Sequence, residues 1–260
     1  MVFPIGDDNS DRTIIPWVTI GLIVINILVF VLLQGLGTND KFTYAFSTVP
    51  AEIVRGKDLV TQPRTERVDT PAGPMEMKVP GLEKTPGSVY LTLLTSMFMH
   101  GSIMHLLGNM WFLWIFGDNI EEDMGHFRYI AFYLLTGLLA SLTHVLVSMG
   151  TDSAEIPSLG ASGAISGVMG GYLLLHPKRR VRVIMVRMLT EVPGWVAVGL
   201  WFAFQVLSSF QALGGHGGGV AYGAHIGGFI AGLALAKPFI IGRPAPRQVR
   251  GESPASYGRW

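Results

Sequence analysis

"SLGASGAISGVMGGYLLL" (158–175) contains no charged side chain and reads as core or membrane material. Yet Ser162 stands between Ala161 and Gly163, just after Gly160, where an apolar span would carry Leu or Val. Two readings compete. Ser162, Ser166 and Gly170 share one helical face with Gly163 and Gly167 beside them, and small residues at spacings of three and four let membrane helices approach closely. Alternatively Ser162 is a nucleophile, and its base must come from outside a stretch that holds neither an acid nor a histidine.

The rest of the chain decides the solvent. Charged residues make up 14% of the 260, against roughly 25% in soluble domains. Their placement is uneven: no Asp, Glu, Lys or Arg occurs between Arg12 and Asp40, Lys84 and Asp118, Arg128 and Asp152, Glu155 and Lys178, or Glu191 and Lys237. A spanning helix needs ~20 predominantly apolar residues, so each of the first four intervals holds one span. The last interval is roughly twice the length that a ~30 Å hydrocarbon layer needs and must fold back, with "GGHGGG" (214–219) as the turn. Six spans result: about 14–34, 93–117, 129–149, 160–176, 194–213 and 219–240. The leader "MVFPIGDDNSDR" is acidic where a signal peptide is basic, so the first span reads as an anchor.

Basic residues orient the spans. "PKRRVRVIMVRMLTE" (177–191) carries five, and Arg243, Arg247, Arg250 and Arg259 follow the last span, whereas 150–159 and 214–218 carry none. Lys and Arg mark cytoplasmic loops, so both termini face the cytoplasm. A cytoplasmic segment 1–13, a membrane domain 14–240 with an external loop of about 35–92, and a basic tail 241–260 follow. In the basic segment 178–187, Val181, Ile184, Met185 and Met188 are interleaved with Arg, which suggests an interfacial helix touching anionic lipid headgroups, with ordinary positive-inside charge as the plain alternative. Zero cysteines exclude disulfides and thiol catalysis, and a net charge of +1 gives no sign of nucleic acid.

The sixth span, "AYGAHIGGFIAGLALA" (221–236), offers the base. Ala221, His225, Gly228 and Gly232 form a small-residue face that one ionisable side chain interrupts. An ionisable group within a span is a functional candidate, although a hydrogen-bonded packing histidine is the plain alternative. If the glycine faces of spans four and six meet, Ser162 and His225 come within hydrogen-bonding reach at a similar depth. His144 and His216 are weaker candidates, and His126 and His176 fall at the cytoplasmic end. In "MHGSIMHLLGNMW" (99–111), His105 and Asn109 are four apart and project from one face. They suit either an oxyanion hole or an interhelical polar clasp.

"MHGSIMHLLGN" (99–109), "GASG" (160–163) and "GAHIGGFIAG" (223–232), on the second, fourth and sixth spans, resemble the rhomboid intramembrane serine proteases. "FGDNIEEDMGH" (116–126) also resembles the family's loop after the second span. The resemblance covers about residues 92–236. It implies an all-α polytopic six-helix bundle, with Ser162 as nucleophile, His225 as base, and His105 and Asn109 in the oxyanion hole. His100, Gly160 and Gly163 are implied as supporting residues. Ser166 stands where some members place a Tyr that stacks on the catalytic histidine, and the first external loop lacks the family's Trp-Arg pair.

No span carries an Asp or Glu to orient His225, so the expected machinery is a Ser–His dyad without a third member, a cofactor or a metal. HExxH is absent, as is an intramembrane Asp pair, which argues against zinc and aspartyl chemistry. The implied partners are transmembrane protein substrates and membrane lipids. The placement expected is a cell membrane, plasma or inner, with the site open to the outside. The alternative of another class is a non-catalytic rhomboid-like protein that binds or routes transmembrane helices.

Overall fold

Six apolar stretches fold into the principal helices of the computed structural model, which describes residues 2–10, 12–70, 73–79, 81–185, 188–211 and 222–244. Helix α1 (Trp17–Leu28) runs on as a π-helical turn, Val29–Leu33. Between it and the next long helix lie three short ones, α2 (Asp40–Ala45), α3 (Pro50–Arg55) and α4 (Thr92–Thr95). The others are α5 (Ile103–Met124), α6 (His126–Ser148), α7 (Ser162–Leu175), α8 (Gly194–Gln211) and α9 (Tyr222–Phe239). Among the described residues only α6 is by itself long and apolar enough to cross a membrane; Val89–Phe98 and α5 meet that test together but are bent by 77°.

That bend corrects the second span, expected to be continuous over 93–117. The chain leaves the helix at Met99, which is extended, and restarts after Ser102, whose hydroxyl caps α5 by accepting from the His105 N–H at 3.1 Å. A serine N-cap is a start signal that the uncharged composition conceals. Gln34, at the end of the first helical segment, satisfies the break: its Nε2 donates to the His100 carbonyl and its Oε1 accepts from the His100 N–H, both at 2.9 Å.

At its other end α5 continues through "DNIEEDM" (118–124), read from the sequence as a loop, and Gly125 with φ 75° makes the connection to α6. Three of the four acids, Asp118, Glu121 and Asp123, are buried, and Glu122 is part-exposed. Glu121 is fully buried and accepts from the backbone N–H groups of Val18 and Thr19 at 2.9 and 2.8 Å, and from His126 Nδ1 at 2.6 Å. It therefore caps α1, whose own N-cap Pro16 has no side chain that could do so. His176 Nε2 meets Asp123 Oδ2 at 2.7 Å at this same end.

The chain is not all-α. Strands β1 (Val2–Asp7), β2 (Arg64–Thr70), β3 (Gly73–Val79), β4 (Arg180–Met185) and β5 (Met188–Pro193) form an antiparallel sheet in the order β1-β4-β5 and a separate β2–β3 hairpin. The interfacial helix expected over 178–187 is therefore wrong. Val181 and Val183 are fully buried while Arg180, Arg182 and Ile184 are exposed, an alternation with period two that fits a strand. The turn 214–219 with His216, the residues 219–221, and Arg187, Arg247, Arg250 and Arg259 lie outside the described residues.

Among the described residues, helices α7 and α9 make the most extensive helix pairing. A Cβ at Gly228 would overlap the Gly163 carbonyl oxygen, one at Gly232 that of Gly167, and one at Gly170 that of Phe229. The two backbones thus touch directly. Apolar side chains gain little over lipid tails as partners, so close dispersion contact of this kind is what holds such helices together. The largest fully buried side chains include Tyr129, Tyr133, Tyr172, Phe116, Phe132 and Phe229, which belong to one apolar core.

Candidate active site

Close backbone contact fixes where two side chains meet. Ser162 is the first residue of α7 and His225 lies in the first turn of α9. Their helices approach at Gly163 and Gly228, the next residue after one and about a turn beyond the other. As a result His225 Nε2 stands 2.8 Å from Ser162 Oγ, across sixty-three positions of sequence. A serine and an imidazole at this distance can exchange a proton, which is the geometric requirement for activating a hydroxyl. Ser166, one turn further on α7, is occupied elsewhere: its hydroxyl donates to the Ser162 carbonyl at 2.6 Å.

Gly160 matters for two reasons. Its φ of 127° is open to glycine and strained for other residues, and a Cβ there would lie 2.9 Å from both Cε1 and Nε2 of His105. The bare backbone lets the His105 ring reach the segment that leads into Ser162. That segment is held on its far side by hydrogen bonds from Gly160 N–H to Ser96 O (2.9 Å) and from Ser158 N–H to Thr48 O (2.8 Å).

Asn109 and His105 both line a cavity of 630 Å³, together with Ser162, His225, Phe112 and Trp201. The Asn109 amide is also 2.9 Å from Nε2 of His100, a fully buried side chain whose ring packs edge-on against His105 with centroids 5.1 Å apart. His100, His105 and Asn109 therefore form one polar cluster on the α5 side of the cavity. His144 lines the same cavity from α6, closer to Ser162 than its setting in the sequence suggests. His126 and His176 sit among the acids at the opposite end of the bundle.

One contact was not foreseen. Gln205 of α8, only 8% exposed, brings its carboxamide oxygen to 2.8 Å from His225 Nδ1. Trp201, one turn earlier on α8, has its ring centroid 6.2 Å from that of His225, and Tyr222 approaches edge-on at 6.3 Å. The signal is present in "GWVAVGLWFAFQVL" (194–207), where Gln205 is the one amide in an otherwise apolar run, but a neutral amide stands out less than the carboxylate that usually orients such a histidine.

Comparison with known proteins agrees with this architecture. The family model for the Rhomboid domain matches residues 87–241, more than half of the chain. The chain is 29% identical over 182 residues to rhomboid protein 1, mitochondrial, of Saccharomyces cerevisiae, covering 69% of this chain and 49% of that protein. It is 32% identical over 127 residues to presenilin-associated rhomboid-like protein, mitochondrial, of Bos taurus (45% and 33% covered). Rhomboid protease GluP of Bacillus subtilis is 33% identical over 146 residues (56% and 26% covered). The matches span about half or less of the length of each of these relatives.

Proposed function

The chain belongs to the rhomboid family and has its helical polytopic membrane fold, and from that premise we propose that it is an intramembrane serine endopeptidase. The observation that carries the proposal is the 2.8 Å contact between Ser162 Oγ and His225 Nε2, both of which line one cavity of 630 Å³. The similarity to a bacterial protein named a rhomboid protease supports it.

In the proposed reaction His225 Nε2 takes the Ser162 hydroxyl proton as Oγ attacks the scissile carbonyl carbon. The electron pair of the C=O moves to the oxygen. His105, Asn109 and the Ser162 backbone N–H, one of the four amides at the start of α7 without a partner in the helix, stabilise that oxyanion. The proton on His225 passes to the leaving amine, and the acyl–Ser162 ester remains. Water then enters the cavity, His225 removes its proton, and hydrolysis releases the second product. Substrates are membrane-protein segments in or beside the bilayer. A cell-membrane placement, with both ends cytoplasmic and the site open to the outside, belongs to the same proposal. It rests on loop charge, and the mitochondrial names of the yeast and bovine relatives lend it no support.

The test is incubation of the detergent-purified full chain with a panel of single-span substrates, with Ser162→Ala as control. Cleavage by the wild type alone, together with labelling of Ser162 by a fluorophosphonate, is the expected result. Binding of transmembrane substrates without cleavage or labelling would instead identify a non-catalytic rhomboid-like protein that holds or routes helices.

A further inference from the structure

We infer that Gln205 is a positioning residue for His225, holding its imidazole in the tautomer whose Nε2 accepts the Ser162 proton. The inference rests on the protease reading above and names a group that the Ser–His pair alone lacks.

A neutral imidazole carries one N–H and one bare nitrogen, and which is which decides whether it can act as a base. His225 touches Ser162 through Nε2 and Gln205 through Nδ1, both at 2.8 Å. A carboxamide oxygen can only accept, so opposite Oε1 the Nδ1 atom must carry the hydrogen. Nε2 is then bare and faces the Ser162 hydroxyl, which donates to it. The reversed amide would donate to Nδ1, place the hydrogen on Nε2 and leave the ring unable to take the serine proton. In soluble serine hydrolases a buried aspartate performs this orientation. Within a membrane span a carboxylate is costly, whereas a neutral amide presents the same acceptor without a charge.

The surroundings leave this role to Gln205. Trp201 and Tyr222 flank the His225 ring with aromatic surfaces, and among the described residues the other titratable groups lining this cavity are His105 from α5, His144 from α6 and Tyr44 from α2. Trp201 and Gln205 are four residues apart and so lie on one face of α8. That face both walls the ring and bonds it. When Nε2 becomes protonated, the Nδ1–H bond to the carbonyl oxygen strengthens and steadies the imidazolium until the leaving amine takes the proton.

The experiment compares wild type, Gln205→Leu, Gln205→Met and Gln205→Glu as full-length proteins, measuring kcat, KM and melting temperature on one transmembrane substrate. Loss of the acceptor in Gln205→Leu and Gln205→Met should lower kcat by about 10-fold to 100-fold with KM and melting temperature near wild type. Gln205→Glu, which restores an acceptor oxygen, should recover most of that loss. Imidazole ¹⁵N spectra of the wild type should show His225 protonated at Nδ1, a readout that needs no variant to fold. An Nε2–H tautomer, or a Gln205→Leu enzyme with wild-type kcat, would overturn the role of Gln205 while leaving the protease reading intact. A wild type that neither cleaves nor labels at Ser162 would overturn the protease reading itself.

Discussion

Gly228 of α9 packs against the carbonyl oxygen of Gly163 of α7 so closely that a methyl group on Gly228 would overlap it. The contact lies beside the Ser162–His225 pair, so helix separation and the 2.8 Å distance are set together. Gly228→Ala should therefore do more than destabilise. Overpacking costs about 1–3 kcal/mol, and a displacement on the order of 1 Å at reacting groups can cost roughly 10²-fold in rate. Gly21→Ala on α1, where a Cβ meets no neighbour, is the control and should leave both readouts near wild type. Equal loss of turnover and stability in Gly228→Ala would show that the seam serves folding alone.

Asn109 has two duties to separate. Its amide lines the cavity, and it also hydrogen-bonds the buried His100 ring at 2.9 Å. As an oxyanion donor its removal in Asn109→Ala should lower kcat by roughly 10²-fold or more. Stranding the His100 nitrogen should cost about 1–3 kcal/mol of stability besides. The decisive measurement is kcat and melting temperature on the same preparation. A lowered melting point with wild-type turnover in the folded fraction would reduce Asn109 to a support for His100.

The sequence carried the parts of this site that depend on single residues and helical spacing. Ser162 and His225 stand out because a hydroxyl and an imidazole interrupt small-residue faces, and those faces are the ones that meet. What was illegible depends on partners distant in sequence. Gln205 and Gln34 are neutral amides in apolar runs, and only the fold shows that one meets His225 and the other clamps His100. The acids of 118–124 read as a solvated loop because nothing local reveals that Glu121 caps α1. The Arg–Val alternation of β4 is visible in the sequence, but a basic segment beside a span fits helical spacing as readily as strand spacing.

Gln34 makes the break before α5 possible. Backbone that leaves a helix at membrane depth must find partners inside the protein. Gln34 supplies both of them for His100, at 2.9 Å each, and bonds Thr43 Oγ1 at 3.1 Å. Gln34→Ala leaves a buried N–H and C=O without these bonds, at a cost of about 1–3 kcal/mol for each unsatisfied group. Thermal unfolding of the purified variant should show a clear drop, with reduced activity because His100 and His105 border the cavity cluster. A melting temperature equal to wild type would mean that other groups satisfy the break.

Asp7 should give the protein a pH-dependent stability unconnected with the active site. Its Oδ2 accepts from Asn119 Nδ2 at 2.8 Å and Tyr172 OH at 2.9 Å, while Oδ1 is buried without a hydrogen-bond partner among the described residues. Burial, with the nearby Asp118 carboxylate adding to it, pushes the Asp7 carboxyl up from 3.8 to about 7. The folded state therefore holds a proton that the unfolded chain releases earlier. Asp7's contribution to stability is complete below pH 3.8, is lost as pH rises toward about 7, and changes no further above that. The slope within that window is at most about 1.4 kcal/mol per pH unit. Asp7→Asn keeps an acceptor for Tyr172 but does not titrate, so any cost it carries is constant with pH. Melting temperatures of the two proteins, measured from pH 4 to pH 9, should converge or cross as the wild type declines and then run parallel. Curves parallel over the whole range would show that Asp7 is ionised throughout and that its neighbours, Arg179 among them, outweigh its burial.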